Sequence, residues 1–222
     1  LALELSPDLA EAHLNLGLAL QELHGPTDSE ADKHLKRALK LKPELAGTYL
    51  ALGVACHEGG DIAGAISHYE QAISLNPNFV EAHTNLGNIY RLANNFDAAT
   101  RHYRLALDIR DDIADIWGNL GVTLQEQGDI DAALEAYDRG IALDIDDPEI
   151  RRNRGMARLA AGQFDEGWRD YRYRWQTQRF KDLTREWSAP EWGGERQKGA
   201  LILVHAEQGL GDTIQFSRYL KV

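Results

Sequence analysis

Cysteine is almost absent from this chain: Cys56 is the only one in 222 residues. That excludes an intrachain disulfide and any Cys-rich zinc module, and it suits a reducing, cytoplasmic compartment. Long apolar runs are missing too. No stretch reaches the roughly 18 residues that a membrane-spanning helix needs, so no membrane span is expected. The first residues, LALELSPDLAEAH, have neither a basic start nor a cleavage-site pattern, so no signal peptide is predicted. Basic charge is in deficit. Lys and Arg number 24 against 35 Asp and Glu, a net charge of −11. Phosphates and anionic lipids attract clustered cations, so neither nucleic acid nor a membrane surface is the expected partner.

What is present is a repeat. Segments 46–79, 80–113 and 114–147 align without gaps, each 34 residues long. Leu-Gly recurs at Leu52-Gly53, Leu86-Gly87 and Leu120-Gly121. Twelve residues after each Gly stands Ala65, Ala99 or Ala133, and four further on Tyr69, Tyr103 or Tyr137. Segment 10–45 fits with two extra residues near His24-Gly25-Pro26-Thr27, and keeps Leu16-Gly17, Ala31, Leu35, Ala38 and Pro43. A further copy begins at Pro148 and keeps Gly155, Gly162, Phe164 and Tyr171; residues 1–9 match the tail of another. The chain opens with Leu1 inside a repeat, so it is expected to be a piece of a longer protein.

Each copy has apolar residues at helical spacing, a Gly or Asn turn, and a second helical stripe. A helix pair of this kind cannot bury its apolar face alone, so copies stack into a solenoid. The pattern resembles the tetratricopeptide repeat over about three-quarters of the chain. The resemblance implies a mostly α fold, a right-handed superhelix over 1–175 whose first helices line the concave face. The expected product is a module that binds a peptide or partner protein in that groove.

Two residues before each Gly of the first helix stands Asn15, Ala51, Asn85, Asn119 or Asn153. Asn is a poor helix former, and a carboxamide can pair with any peptide bond. The row resembles the asparagine ladder of the O-linked N-acetylglucosamine transferases, with Ala51 a missing rung. The alternative is that these amides satisfy neighbouring backbone or pack between repeats. Asn88 and the acids Glu11, Glu22, Glu81, Asp115, Glu126 and Glu149 share that face, which favours a basic or Ser/Thr-rich ligand.

The histidines suggest no metal site. His13 and His83 occupy an aromatic position of their copies and are expected to pack. His34, His68 and His102 recur one repeat apart and are expected on the outer face, too far apart to share a metal. Cys56 is expected to be an inert core thiol.

Character changes after Gly167. Residues 168–198 hold eight Lys/Arg and five Asp/Glu, a local +3, and also Trp168, Tyr171, Tyr173, Trp175, Trp187 and Trp192. GWRDYRYRW is predicted to continue the last helix, and 176–199 reads as a capping segment and linker. Over 200–222 a buried strand (Ala200–His205), a Gly-containing loop and an apolar helix are predicted, a truncated α/β start. Leu201–Leu220 resembles the opening of heptosyltransferase-type glycosyltransferases. That resemblance implies Asp212, after Gly211, as catalytic base of a parent enzyme using a nucleotide-sugar donor, with His205 a second candidate. Asp212 serves equally well as a helix N-cap. No cofactor and no catalysis are expected of the 222 residues alone.

Overall fold

The computed structural model describes residues 8–178, all within the first of the two units into which the chain divides, Leu1–Asp182. Ten α-helices and no strand occur among the described residues. They pair in chain order: α1 (Ala10–His24) with α2 (Ser29–Leu41), α3 (Ala46–Glu58) with α4 (Ile62–Leu75), and α5 (Val80–Leu92) with α6 (Phe96–Ile109). α7 (Ala114–Glu126) pairs with α8 (Ile130–Leu143), and α9 (Pro148–Ala160) with α10 (Phe164–Tyr171). A short 3₁₀ helix, Arg172–Gln176, follows.

Local sequence explains the breaks. Each turn inside a pair needs one residue of positive φ. Gly60, Gly128 and Gly162 supply it, and Asn94 takes the same place at φ 57°. The second helices are then capped by short acidic or amide side chains. Asp28, Asp61, Asn95 and Asp129 each accept a backbone N–H from the first turn. The first helices α1, α3, α5 and α7 start instead after Leu9, Leu45, Phe79 and Ile113, which make no side-chain cap.

Packing follows the repeat. Ala65, Ala99 and Ala133 are fully buried, and so are Tyr69, Tyr103 and Tyr137. Leu52, Leu86 and Leu120 are buried beside them, as the Leu-Gly register predicts. A Cβ added at Gly53, Gly87 or Gly121 would stand 2.5, 2.6 or 2.6 Å from the tyrosine ring of the same pair. The glycines therefore let each ring slide beneath the first helix. Each second helix packs on the next first helix, and first helices also touch directly at α1–α3, α5–α7 and α7–α9. The second helices make no comparable mutual contact among the described residues, so the first helices form the closely spaced inner wall of the superhelix.

One expectation needs correction, and the first copy departs from the others. Its two extra residues extend α1 to 15 residues, against 13 for α3, α5, α7 and α9, and Gln21 near the end of α1 bonds both the Pro26 and Ala51 carbonyls. The last helix does not run through GWRDYRYRW; α10 ends at Tyr171 and tightens into the 3₁₀ helix. The strand and helix predicted over 200–222, with His205 and Asp212, lie outside the described residues.

Candidate functional site

The asparagines of the inner wall stand at equivalent points of successive first helices. Asn15 on α1 is exposed; Asn85 on α5, Asn119 on α7 and Asn153 on α9 are half-buried. Asn15 and Asn119 make no side-chain hydrogen bond among the described residues, while Asn85 stands beside the Tyr69 hydroxyl and weakly opposes the rise in its pKa. Asn153 is partly committed, since its Oδ1 accepts from Nη2 of Arg152 at 2.8 Å, and Arg152 also pairs with Glu149 at 2.9 Å. At the missing rung, Ala51 is buried and its carbonyl accepts from Gln21 of the preceding repeat at 3.2 Å.

Asn88 has a different setting. Its Oδ1 accepts the Tyr103 hydroxyl at 2.6 Å, and Gln125 Oε1 accepts the Tyr137 hydroxyl at 3.0 Å. Burial pushes the Tyr103 phenol up to about 12 and raises that of Tyr137 as well, so both hydroxyls keep their protons and donate. The equivalent Tyr69 hydroxyl is buried without a hydrogen-bond partner; burial pushes it up to about 12, with Asn85 weakly opposing. The sequence gives the reason. Val54 stands where Asn88 stands one repeat later, and His57 stands where Gln125 stands two repeats later, so neither acceptor is present.

The electrostatics change along this wall: α9 is basic, with Arg151, Arg152, Arg154 and Arg158 against Glu149, whereas the earlier first helices are acidic. Helices α1, α3, α5 and α7 carry Glu11, Glu22, Glu58, Glu81, Asp115 and Glu126, against a single cation, Arg91. Glu11 pairs with Lys42 at 2.6 Å, and Glu126 with Arg91 at 3.6 Å across α5 and α7. Glu22, Glu58, Glu81 and Asp115 have no ion pair among the described residues. An open cleft of about 490 Å³ lies elsewhere, between α6 and the α7–α8 turn, and Thr100, Arg101, Arg104 and Gln127 help line it. Thr100 and Asp97 are tied through Gln127 at 3.1 and 2.8 Å.

The histidines are not on the outer face. His34, His68 and His102 turn back towards the first helix of their own pair. His34 Nδ1 lies 2.8 Å from His13 Nδ1, His102 Nδ1 lies 3.1 Å from His83 Nδ1, and His68 packs on Tyr49. The cause is the space beside a short aromatic position, which a flat ring fills better than solvent does. His83 Nε2 meets the Pro77 carbonyl at 3.2 Å. A carbonyl only accepts, so His83 is protonated on Nε2, and His102 donates from Nδ1. Burial pushes His102 down to about 4, with His83 and Arg101 acting in the same direction, and lowers His83. Among the described residues no three His, Cys, Asp or Glu side chains are grouped to hold a metal. Burial also raises the half-buried Cys56 thiol, away from nucleophilic character.

Sequence reasoning passed over Arg154, Arg158 and Asp170. Arg154 grips Asp170 with Nε at 2.6 Å and Nη2 at 3.0 Å, and reaches Asp138 at 2.6 Å; Arg158 adds a bond to Asp170 at 2.8 Å. The signal was present. Arg154 occupies the Leu52, Leu86 and Leu120 position of its copy, where a charge needs a buried partner.

Comparison with known proteins agrees with this geometry. Residues 53–91 match a family model described as TPR repeat, and residues 82–116 and 114–147 match models described as tetratricopeptide repeat. No curated protein matches the chain. Among solved structures, a MamA protein is 22% identical, with 82% of this chain and 98% of that one aligned at a TM-score of 0.65. YrrB, described as a TPR protein with an unusual peptide-binding site, is 16% identical, covering 80% of this chain and 91% of its own at 0.66. PilF of Pseudomonas aeruginosa is 16% identical, covering 80% of this chain and 77% of its own at 0.67. Residues 53–147 therefore match tetratricopeptide repeats, and the described residues share the superhelical fold of these structures.

Proposed function

We propose that this tetratricopeptide superhelix is a protein–protein interaction module whose inner wall binds an extended polypeptide segment. The observation that carries the reading is the row of part-exposed amides, Asn85, Asn119 and Asn153, on successive first helices. Packed helices lie about 8–10 Å apart, and an extended chain advances about 3.3 Å per residue. One amide therefore meets roughly every third peptide unit and reads backbone rather than side chain. Surplus acid on α1–α7 selects a basic segment. The peptide-binding site ascribed to YrrB supports the same reading by analogy of fold.

The test is a titration of the full chain with a fluorescein-labelled 12-residue peptide of alternating Lys, Ser and Ala. Changing Asn85, Asn119 and Asn153 together to Ala removes up to three hydrogen bonds, each about 0.5–1.5 kcal/mol net. Affinity is expected to fall at least about tenfold, with little dependence on peptide sequence. Unchanged affinity rejects the amide row.

A finer reading rests on the Leu201–Leu220 pattern: the module presents segments to a glycosyltransferase that uses a nucleotide-sugar donor. Asp212 is then the base towards the acceptor hydroxyl, with His205 as the second candidate. In an intact enzyme, Asp212→Asn is expected to lower kcat by about 10²–10⁴-fold. Transfer at the wild-type rate makes Asp212 a helix cap and favours a scaffold for protein complexes without chemistry.

A further inference from the structure

The buried tyrosines do more than fill space. Each ring passes beneath a glycine of its first helix, and a Cβ at Gly87 or Gly121 would collide with it at 2.6 Å. The ring is therefore held with its hydroxyl on the inner-wall side, where Asn88 and Gln125 stand half-exposed. Both hydrogen bonds end on amide oxygens, Tyr103 on Asn88 at 2.6 Å and Tyr137 on Gln125 at 3.0 Å. An amide whose oxygen is engaged presents its NH₂ as two remaining donors. Flipping it would strand the phenol proton in a site closed to water, which disfavours the flip. Arg91, part-exposed and paired with Glu126, is the cation nearest these groups on α5 and α7.

We propose that Tyr103 and Tyr137 are positioning residues, which hold Asn88 and Gln125 with their NH₂ groups towards the groove as donors for backbone carbonyls of a bound peptide. This rests on the groove reading and sharpens it. The wall then carries two kinds of amide: Asn119, free to turn and to donate or accept, and Asn88 and Gln125, fixed as donors. A ligand strand must present carbonyl oxygens at the fixed points, which sets its register along α5 and α7. Tyr69 is the built-in control. Its ring is equally buried, but its hydroxyl makes no direct hydrogen bond, since Val54 and His57 stand where Asn88 and Gln125 stand in the later repeats.

The test uses the full chain, labelled with ¹⁵N, and the variants Tyr103→Phe, Tyr137→Phe and Tyr69→Phe. Side-chain order parameters of Asn88 and Gln125 are expected to be near the rigid value of about 0.85 in the parent protein. In Tyr103→Phe and Tyr137→Phe the corresponding amide is expected to drop below about 0.6. Tyr69→Phe is expected to change neither. Titration with the Lys/Ser/Ala peptide is expected to weaken about 2- to 10-fold for Tyr103→Phe, and the change is expected to vanish in an Asn88→Ala background. Amides equally mobile before and after loss of the hydroxyl overturn the positioning role. Rigid amides with unchanged affinity overturn the donor role. A parent protein that does not bind the peptide overturns the groove reading instead, and the order parameters still decide the positioning.

Discussion

In α3–α8 the seam inside each helix pair is apolar, whereas in α9–α10 the same seam is ionic. Leu86 and Tyr103 fill the α5–α6 pair; Arg154 takes the leucine's position in α9, and Arg158 that of Tyr90. Asp170, on α10, faces both arginines and is only 5% exposed. Tyr171, equivalent to Tyr103, is half-exposed; it meets Trp168 edge-on and carries the Arg174 guanidinium over its ring. With no ring beneath it, Gly155 meets backbone: an added Cβ would stand 2.5 Å from the Tyr171 nitrogen. One helix-pair geometry is therefore reached by two chemistries. The apolar seam tolerates adjustment, because side chains can shift. The ionic seam depends on every partner being present.

The largest expected effect breaks the ionic seam. Asp170→Ala leaves Arg154 and Arg158 with only the exposed Asp138 as a partner and is expected to cost about 3 kcal/mol. Hydrogen exchange should show α9 and α10 opening while α3–α8 stay protected. Replacing Arg154 by Leu, Arg158 by Tyr and Asp170 by Ala together is expected to restore most of that loss. Failure of this triple to recover stability would mean the seam is held by something other than its charges.

Next come the glycines. Gly155→Ala is expected to cost about 2–3 kcal/mol and Gly87→Ala about 1–2 kcal/mol, measured by urea denaturation, because a ring can tilt and backbone cannot. Equal costs would erase the distinction between the two seams.

The histidines supply a pH dependence that belongs to the apolar repeats. His102 is held down to about 4 against an unfolded value near 6.5. The unfolded chain thus binds the proton first. Stability from this group is complete above about pH 6.5 and is lost as pH falls towards 4. A decline of about 1–2 kcal/mol is expected after allowance for solvent screening, and His102→Phe is expected to flatten it. The smallest effect is Tyr69→Phe. Its hydroxyl has no partner to lose, so stability is expected to change by less than about 0.5 kcal/mol, against about 0.5–1.5 kcal/mol for Tyr103→Phe.

Helix pairing was legible because the repeat states it several times over. Ala99, Leu86 and Gly87 recur at fixed spacing, and only small residues fit where helices touch. What lay across the pair was harder to read. His102 sits on a second helix with Arg101 and Arg104 beside it, and spacing alone placed it outward; its partner, His83, is 19 residues away in sequence and comes into reach only when the pair closes. The bond from Tyr103 to Asn88 has the same origin. It depends on how deeply a ring passes under Gly87, a matter of ångströms that periodicity does not encode. Arg154 was readable in principle, as a charge in a leucine's place. Reading it required asking what would neutralise it.

The most direct test of the groove is a map of where a peptide touches. Side-chain amide resonances of the full chain, followed during titration with the Lys/Ser/Ala peptide, report both walls at once. Shifts are expected at Asn85, Asn88, Asn119, Gln125 and Asn153, with Gln127 in the α6–α8 cleft unmoved. Shifts centred on Gln127, with the asparagines of the first helices silent, would contradict the account and place binding on the opposite face of the repeats.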